Sequence, residues 1–198
     1  MNFRRLLFTI GIVSILFSCK EPIPRPVVRI IPLPSEVTDQ EGLFTLTSST
    51  KIGISNDNEQ MRQIASFLTR HTEKYYGIAN SVTTSEKADK GSVFLKLDEN
   101  FKLGKEDYHL TVASDGVMIE AAAPNGLFYG VQTLIQLMPS TIKQDAAIIL
   151  PGLEINDSPR FSWRGLHLDV SRHFMPKEFI LSTSIIWQCT NSIRLTGI

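Results

Sequence analysis

Cysteine is scarce in this chain: Cys19 and Cys189 are the only two among 198 residues. Two thiols cannot build the multi-bridge framework of a small secreted scaffold, and none of the cysteine and histidine spacings of a metal site occurs. An excess of charge is also lacking. Twenty basic side chains stand against twenty acidic ones, so the balance favours neither nucleic acid nor an anionic surface as a partner. No internal repeat or low-complexity tract is present, which excludes a repeat architecture.

What is present begins at the N-terminus. Arg4 and Arg5 precede the apolar run Leu6 to Phe17, the charged-then-hydrophobic order of an export signal. The run is too short to span a bilayer. Leu16-Phe17-Ser18-Cys19 resembles the bacterial lipobox, in which the cysteine is acylated and becomes the mature N-terminus. Residues 1–18 are therefore expected to be a lipoprotein signal peptide and Cys19 the lipid attachment site, with each buried methylene of the lipid contributing about 0.8 kcal/mol to anchoring. The mature protein is expected outside the cytoplasm, held to a membrane. Residues 19–27, rich in proline, form a stiff tether.

The span 28–140 carries the pattern of one complete α+β domain. Val28 to Ile31, Phe44 to Leu46, Ile52 to Ile54 and Val93 to Leu97 have strand character, and Tyr108 to Val112 and Val117 to Ile119 alternate around an Asp115-Gly116 turn. From Asn58 the period changes. Met61, Ile64, Ala65, Leu68 and Tyr75 recur at helical spacing, with Gly77 as a C-terminal cap. A second helix follows Pro124 and ends at Pro139. The pattern predicts an antiparallel sheet with helices on one face, and residues 141–157 as a linker.

Two stretches carry more than pattern. Pro124 to Pro139, PNGLFYGVQTLIQLMP, and Asp157 to Phe179, DSPRFSWRGLHLDVSRHFMPKEF, resemble glycoside hydrolase family 20, the β-N-acetylhexosaminidases, as does IIPLPSEV at Ile30 to Val37. The resemblance implies a small N-terminal domain followed, over residues 158–180, by the start of a (β/α)8 TIM barrel. It also implies hydrolysis of terminal GlcNAc or GalNAc from glycans by substrate-assisted, retaining catalysis without metal or organic cofactor. In that scheme an aspartate orients the substrate's acetamide, whose oxygen attacks the anomeric carbon, and an adjacent glutamate protonates the leaving oxygen; the usual two-carboxylate mechanism does not apply. The family's Asp-Glu pair has no counterpart here.

The resemblance matches Arg164 to the arginine that binds hydroxyls of the terminal sugar, a task suited to a guanidinium's fixed fork of donors. Barrel geometry points elsewhere. Active sites lie at the C-terminal ends of barrel strands, which would favour Asp169, Arg172 and His173, whereas Arg164 precedes the strand. The family assignment is followed for Arg164. Asp169 and Arg172 are equally suited to a buried ion pair or to substrate contact, and His173 to a satisfied core position. Gly126 and Gly130, four residues apart, suit close helix packing, and Phe128 and Tyr129 suit the core or a domain interface. Asp39, Glu41, Glu106 and Asp107 are expected to be ordinary solvated carboxylates.

Beyond Leu181 the resemblance stops. Read one base out of frame from the Ser182 codon, permitted codons spell N-I-D-H-M-A-M-Y, then Lys or Gln, Leu or Phe, N-T, a small residue and H-W-H, which resembles the family's next helix and strand. Residues 181–198 are thus expected to be an out-of-frame tail outside the fold, and the chain an inactive fragment. With Cys19 acylated and Cys189 in that tail, no disulfide remains. The alternative is a non-catalytic surface or glycan-binding lipoprotein module.

Overall fold

A computed structural model of the chain describes residues 25–101, 104–140, 147–170, 172–189 and 194–197. The expected signal peptide, the expected lipid site Cys19 and most of the expected tether lie outside the described residues. The tether's end does not run free: the Arg25 guanidinium donates to Asp39 at 2.8 Å and to the Gly152 carbonyl at 2.7 Å.

Seven strands form one sheet in the order β1-β7-β5-β6-β4-β2-β3. They are β1 (Glu36–Leu46), β2 (Ile52–Ile54), β3 (Val82–Thr84), β4 (Val93–Leu97), β5 (Tyr108–Ala113), β6 (Gly116–Ala121) and β7 (Ile148–Asp157). Val28 to Ile31 is not a strand, being flanked by Pro26 and Pro32. The sheet is mixed rather than antiparallel. β1, β7, β5 and β6 pair antiparallel, but β6 to β4, β4 to β2 and β2 to β3 are parallel. Alternation of apolar residues reports a strand and its buried face, not its direction. Direction here follows from the connection, because β2 reaches β3 through an 18-residue helix, and parallel neighbours require such a crossover.

The helix α1 (Glu59–Tyr76) begins where its cap dictates. Asn58 Oδ1 accepts from Met61 N at 2.9 Å, and Gly77, at φ 71°, ends the helix with its N–H on the Glu73 carbonyl. Met61, Ile64, Ala65 and Leu68 are buried against the sheet. α2 (Pro124–Leu137) starts on a proline at its first turn and packs on the same layer, with the Phe67 and Phe128 rings 5.5 Å apart. Inside the sandwich the Tyr108 hydroxyl meets Thr133 Oγ1 at 2.6 Å.

The stretch expected as a linker, residues 141–157, contains β7, a ten-residue strand between β1 and β5. Pro151-Gly152 hides it, since a proline inside a strand pattern argues against a central strand. The fold accommodates the pair with an irregularity in β1 between Asp39 and Leu43. There Gly152 approaches the carbonyls of Gln40, Glu41 and Gly42 so closely that a Cβ would lie 2.7 to 2.9 Å from them. The small domain thus ends at Asp157. The β5–β6 turn is also one residue earlier than expected, at Ser114-Asp115.

After Asp157 the chain leaves this sheet. β8 (Gly165–Leu168) pairs in parallel with β9 (Arg194–Gly197), and α3 (Lys177–Cys189) connects them. This is a single β-helix-β unit. Residues 181–198, expected to stand outside the fold, hold most of α3 and all of β9, in a unit separate from the seven-stranded sheet. No glycine or proline interrupts residues 177–189, and a helix needs no more than local permission to form there. Phe161, Trp163 and Phe174 around this unit are 63%, 71% and 90% exposed.

One pH dependence follows from α1. The His71 ring lies 4.7 Å from that of Tyr75, and burial, reinforced by Lys74, holds its pKa below the ordinary 6.5. The folded state therefore resists a proton that the unfolded chain accepts, so this contribution to stability is present above pH 6.5 and is lost as the pH falls from there toward the lower folded-state value. Urea midpoints measured from pH 7.5 down to 5.5 are expected to fall, and His71→Gln to flatten the decline.

Candidate functional site

The described side chains meet at the end of the sheet where β7 gives way to β8. Three carboxylates fasten the outgoing segment. Asp157 Oδ1 accepts from the backbone N–H and hydroxyl of Ser35 at 3.0 and 3.2 Å. Asp107 accepts from the Ser158 hydroxyl at 3.0 Å and from Gly104 N at 2.8 Å. Glu106 Oε2 accepts from Arg164 Nη1 at 3.0 Å.

Arg164 sits immediately before β8. Nη1 also donates to the Phe161 carbonyl at 2.6 Å, and the guanidinium carbon stands 5.5 Å from the centre of the Tyr129 ring. Both partners of the ion pair are mostly shielded, with side chains 20% and 23% exposed. Shielding strengthens the attraction over that of a surface pair but also adds a desolvation cost that offsets it, and a guanidinium beside an aromatic ring contributes about 0.5–2 kcal/mol. Burial, and next the Glu106 carboxylate, push the Tyr129 hydroxyl above its ordinary pKa, with Arg164 opposing. It stays a neutral phenol at physiological pH.

The loop that delivers Glu106 is placed by glycine. Gly126 N donates to the Lys105 carbonyl at 3.2 Å, and a Cβ on Gly126 would overlap the Asp107 carbonyl oxygen. One turn on, a Cβ on Gly130 would strike the Ile119 side chain. Both glycines serve packing, as expected, and Tyr129 between them bridges the small domain to Arg164. A cavity of about 370 Å³, lined by Leu33, Ser35, Asp157, Arg160, Phe161 and Arg164, opens beside the guanidinium, within the size range of small-ligand sites.

The other expected residues are not gathered here. Asp169 and Arg172 do form an ion pair at 3.3 Å, but it is in solvent rather than buried, with side chains 39% and 87% exposed. His173 is exposed, not a core histidine. Among the described residues, β8 has only β9 as its sheet neighbour. The residue missed is Glu106. Its sequence neighbours, Gly104-Lys105-Glu106-Asp107, signal a solvated turn, and the partner lies 58 positions away; no local pattern reports such a contact.

With this geometry in view, the comparisons with known proteins define the class. The family model described as "Glycosyl hydrolase family 20, domain 2" matches residues 27–158, the seven-stranded domain with its two helices. The chain belongs to glycosyl hydrolase family 20. Among curated relatives, a β-hexosaminidase of Porphyromonas gingivalis is 32% identical over 157 residues, covering 77% of this chain and 20% of the relative. Among solved structures, the family 20 β-N-acetylhexosaminidase of Streptomyces coelicolor superposes with a TM-score of 0.77 at 29% identity, over 89% of this chain and 35% of that one. The Streptomyces plicatus N-acetyl-β-hexosaminidase in complex with Thio-NAglucal gives 0.76 at 30% identity, over 88% and 35%. The chain spans a fifth to a third of the length of these relatives.

Proposed function

We propose that the chain is the opening part of an exported, lipid-anchored β-N-acetylhexosaminidase that removes terminal GlcNAc or GalNAc from glycans. Cys19 carries the lipid, and Arg164 binds hydroxyls of the terminal sugar. The Asp-Glu pair of substrate-assisted catalysis belongs to the continuation of the out-of-frame sequence that starts near Ser182. The observation that carries this reading is Arg164 itself: a largely shielded guanidinium, held by Glu106, Phe161 O and Tyr129, beside a cavity of small-ligand size.

General acid catalysis needs a carboxylic acid within hydrogen-bond reach of the glycosidic oxygen. The 198-residue chain is accordingly expected to leave a nitrophenyl N-acetylglucosaminide uncleaved. Restoring one base near the Leu181 or Ser182 codon should extend the open frame by a few hundred residues and yield an enzyme that cleaves it with retention. Glucosides lacking the acetamide should be ignored, because the nucleophile is then missing. Turnover by the 198-residue chain would overturn the truncation reading, and a stop codon immediately downstream in the restored frame would overturn the proposal and leave the non-catalytic module as the function.

A further inference from the structure

We infer that Glu106 and Tyr129 are positioning residues for Arg164, so that the small domain orients a residue of the sugar site rather than serving only as a neighbour of the barrel. The inference rests on the assignment of Arg164 to the terminal N-acetylhexosamine.

Arg164 belongs to residues 158–164, which have neither helix nor strand geometry. No ladder of backbone hydrogen bonds therefore orients it from its own side. Its side chain has many rotamers, and bidentate recognition of neighbouring hydroxyls tolerates few of them. Beyond the Phe161 carbonyl of its own segment, what fixes the guanidinium comes from the small domain. Glu106 takes Nη1 from the loop before β5, and Tyr129 supplies a flat support from α2. The two elements are locked to each other, through Gly126 N on the Lys105 carbonyl and through the Gly126 approach to Asp107. Loop and helix therefore move as one body, and Arg164 is held against both. Glu106 holds Nη1 through a charged hydrogen bond, and Tyr129 meets the guanidinium through its ring and its hydroxyl. Preorganised donors of this kind are held close to productive geometry by the shell behind them. A simple fastening of the segment would not need Arg164, since Ser158 already ties it to Asp107 and to Ser35.

In the frame-restored protein, Glu106→Gln is expected to lower kcat/KM for a nitrophenyl N-acetylhexosaminide about tenfold, mainly through KM, with melting temperature little changed. Glu106→Asp, which withdraws the carboxylate by one methylene, should fall between, and serves if the glutamine variant fails to fold. Tyr129→Phe, which removes a hydroxyl hydrogen-bonded with Arg164, should lose several-fold, and Tyr129→Leu, which removes the ring as well, about tenfold. The decisive comparison is Glu106→Gln combined with Arg164→Ala, which should be no slower than Arg164→Ala alone. Additive losses, or wild-type kinetics in both Glu106 variants while Arg164→Ala is impaired, would overturn the positioning role and leave Arg164's assignment standing. Wild-type kinetics in Arg164→Ala would overturn the assignment itself. The clamp is read separately in the 198-residue chain, where slowed exchange of the Arg164 guanidinium protons by NMR should be lost in Glu106→Gln; unchanged exchange would overturn the clamp regardless of activity.

Discussion

Arg164→Ala in the frame-restored protein is expected to lower kcat/KM toward terminal N-acetylhexosaminides by about 10- to 150-fold, the kinetic equivalent of about 1.5–3 kcal/mol for losing hydrogen bonds to a charged group. Two effects compete for this residue, and their magnitudes separate them. As a structural tie, Arg164 contributes a partly shielded ion pair and one ring contact. Its removal leaves Glu106, still 23% exposed, able to recruit water. The segment also keeps its ties through Ser158 to Asp107 and to Ser35, so the fold should persist. As a sugar ligand, it supplies donors that water cannot replace once substrate fills the cavity. Activity should therefore fall far more than stability. Arg164→Lys should not rescue it, since an ammonium offers neither the planar fork nor the stacking surface. Circular dichroism and a thermal melt alongside the kinetics check the separation.

How much of this was legible in the sequence depends on how local each signal was. α1 was readable because its period, its Asn58 cap and its Gly77 terminator all lie within one stretch. α2 was readable from Pro124 and the broad apolar face. The β5–β6 hairpin was readable to within one residue. β7 was not, because Pro151-Gly152 interrupts the alternation in the middle of a strand that the β1 irregularity makes possible from another part of the chain. The parallel half of the sheet was not either, since β2, β3 and β4 owe their direction to crossovers rather than to side-chain pattern. The same distinction runs through the site. Arg164 was singled out by the motif around it, while Glu106 and the role of Tyr129 depend on contacts 58 and 35 positions long, from 164 − 106 and 164 − 129.

Gly126→Ala is expected to cost about 2 kcal/mol or more of stability and to lower the melting temperature by about 5–10 °C, although alanine is the better helix former. Alanine's better helix propensity would gain at most about 1 kcal/mol at this first-turn position. Against that, the new methyl group meets the Asp107 carbonyl oxygen and stands 2.9 Å from Ala121 Cβ. The obstacle on one side is backbone, which cannot swing aside as a side-chain tip can, and overpacking of this kind costs about 1–3 kcal/mol, occasionally more. Relief requires the 104–107 loop to lift from α2, stretching the Gly126 N to Lys105 O bond and drawing Glu106 away from Arg164. The substitution should thus loosen the clamp as well as the fold, which Gly91→Ala should not do. Gly91 has φ 76° but nothing within 4 Å of a Cβ, so its exchange is limited to backbone strain, about 1 kcal/mol. Thermal melts of the two variants, with Arg164 proton exchange measured in each, distinguish them: equal losses, or an undisturbed Arg164 in Gly126→Ala, would contradict the account of a glycine that seats the loop.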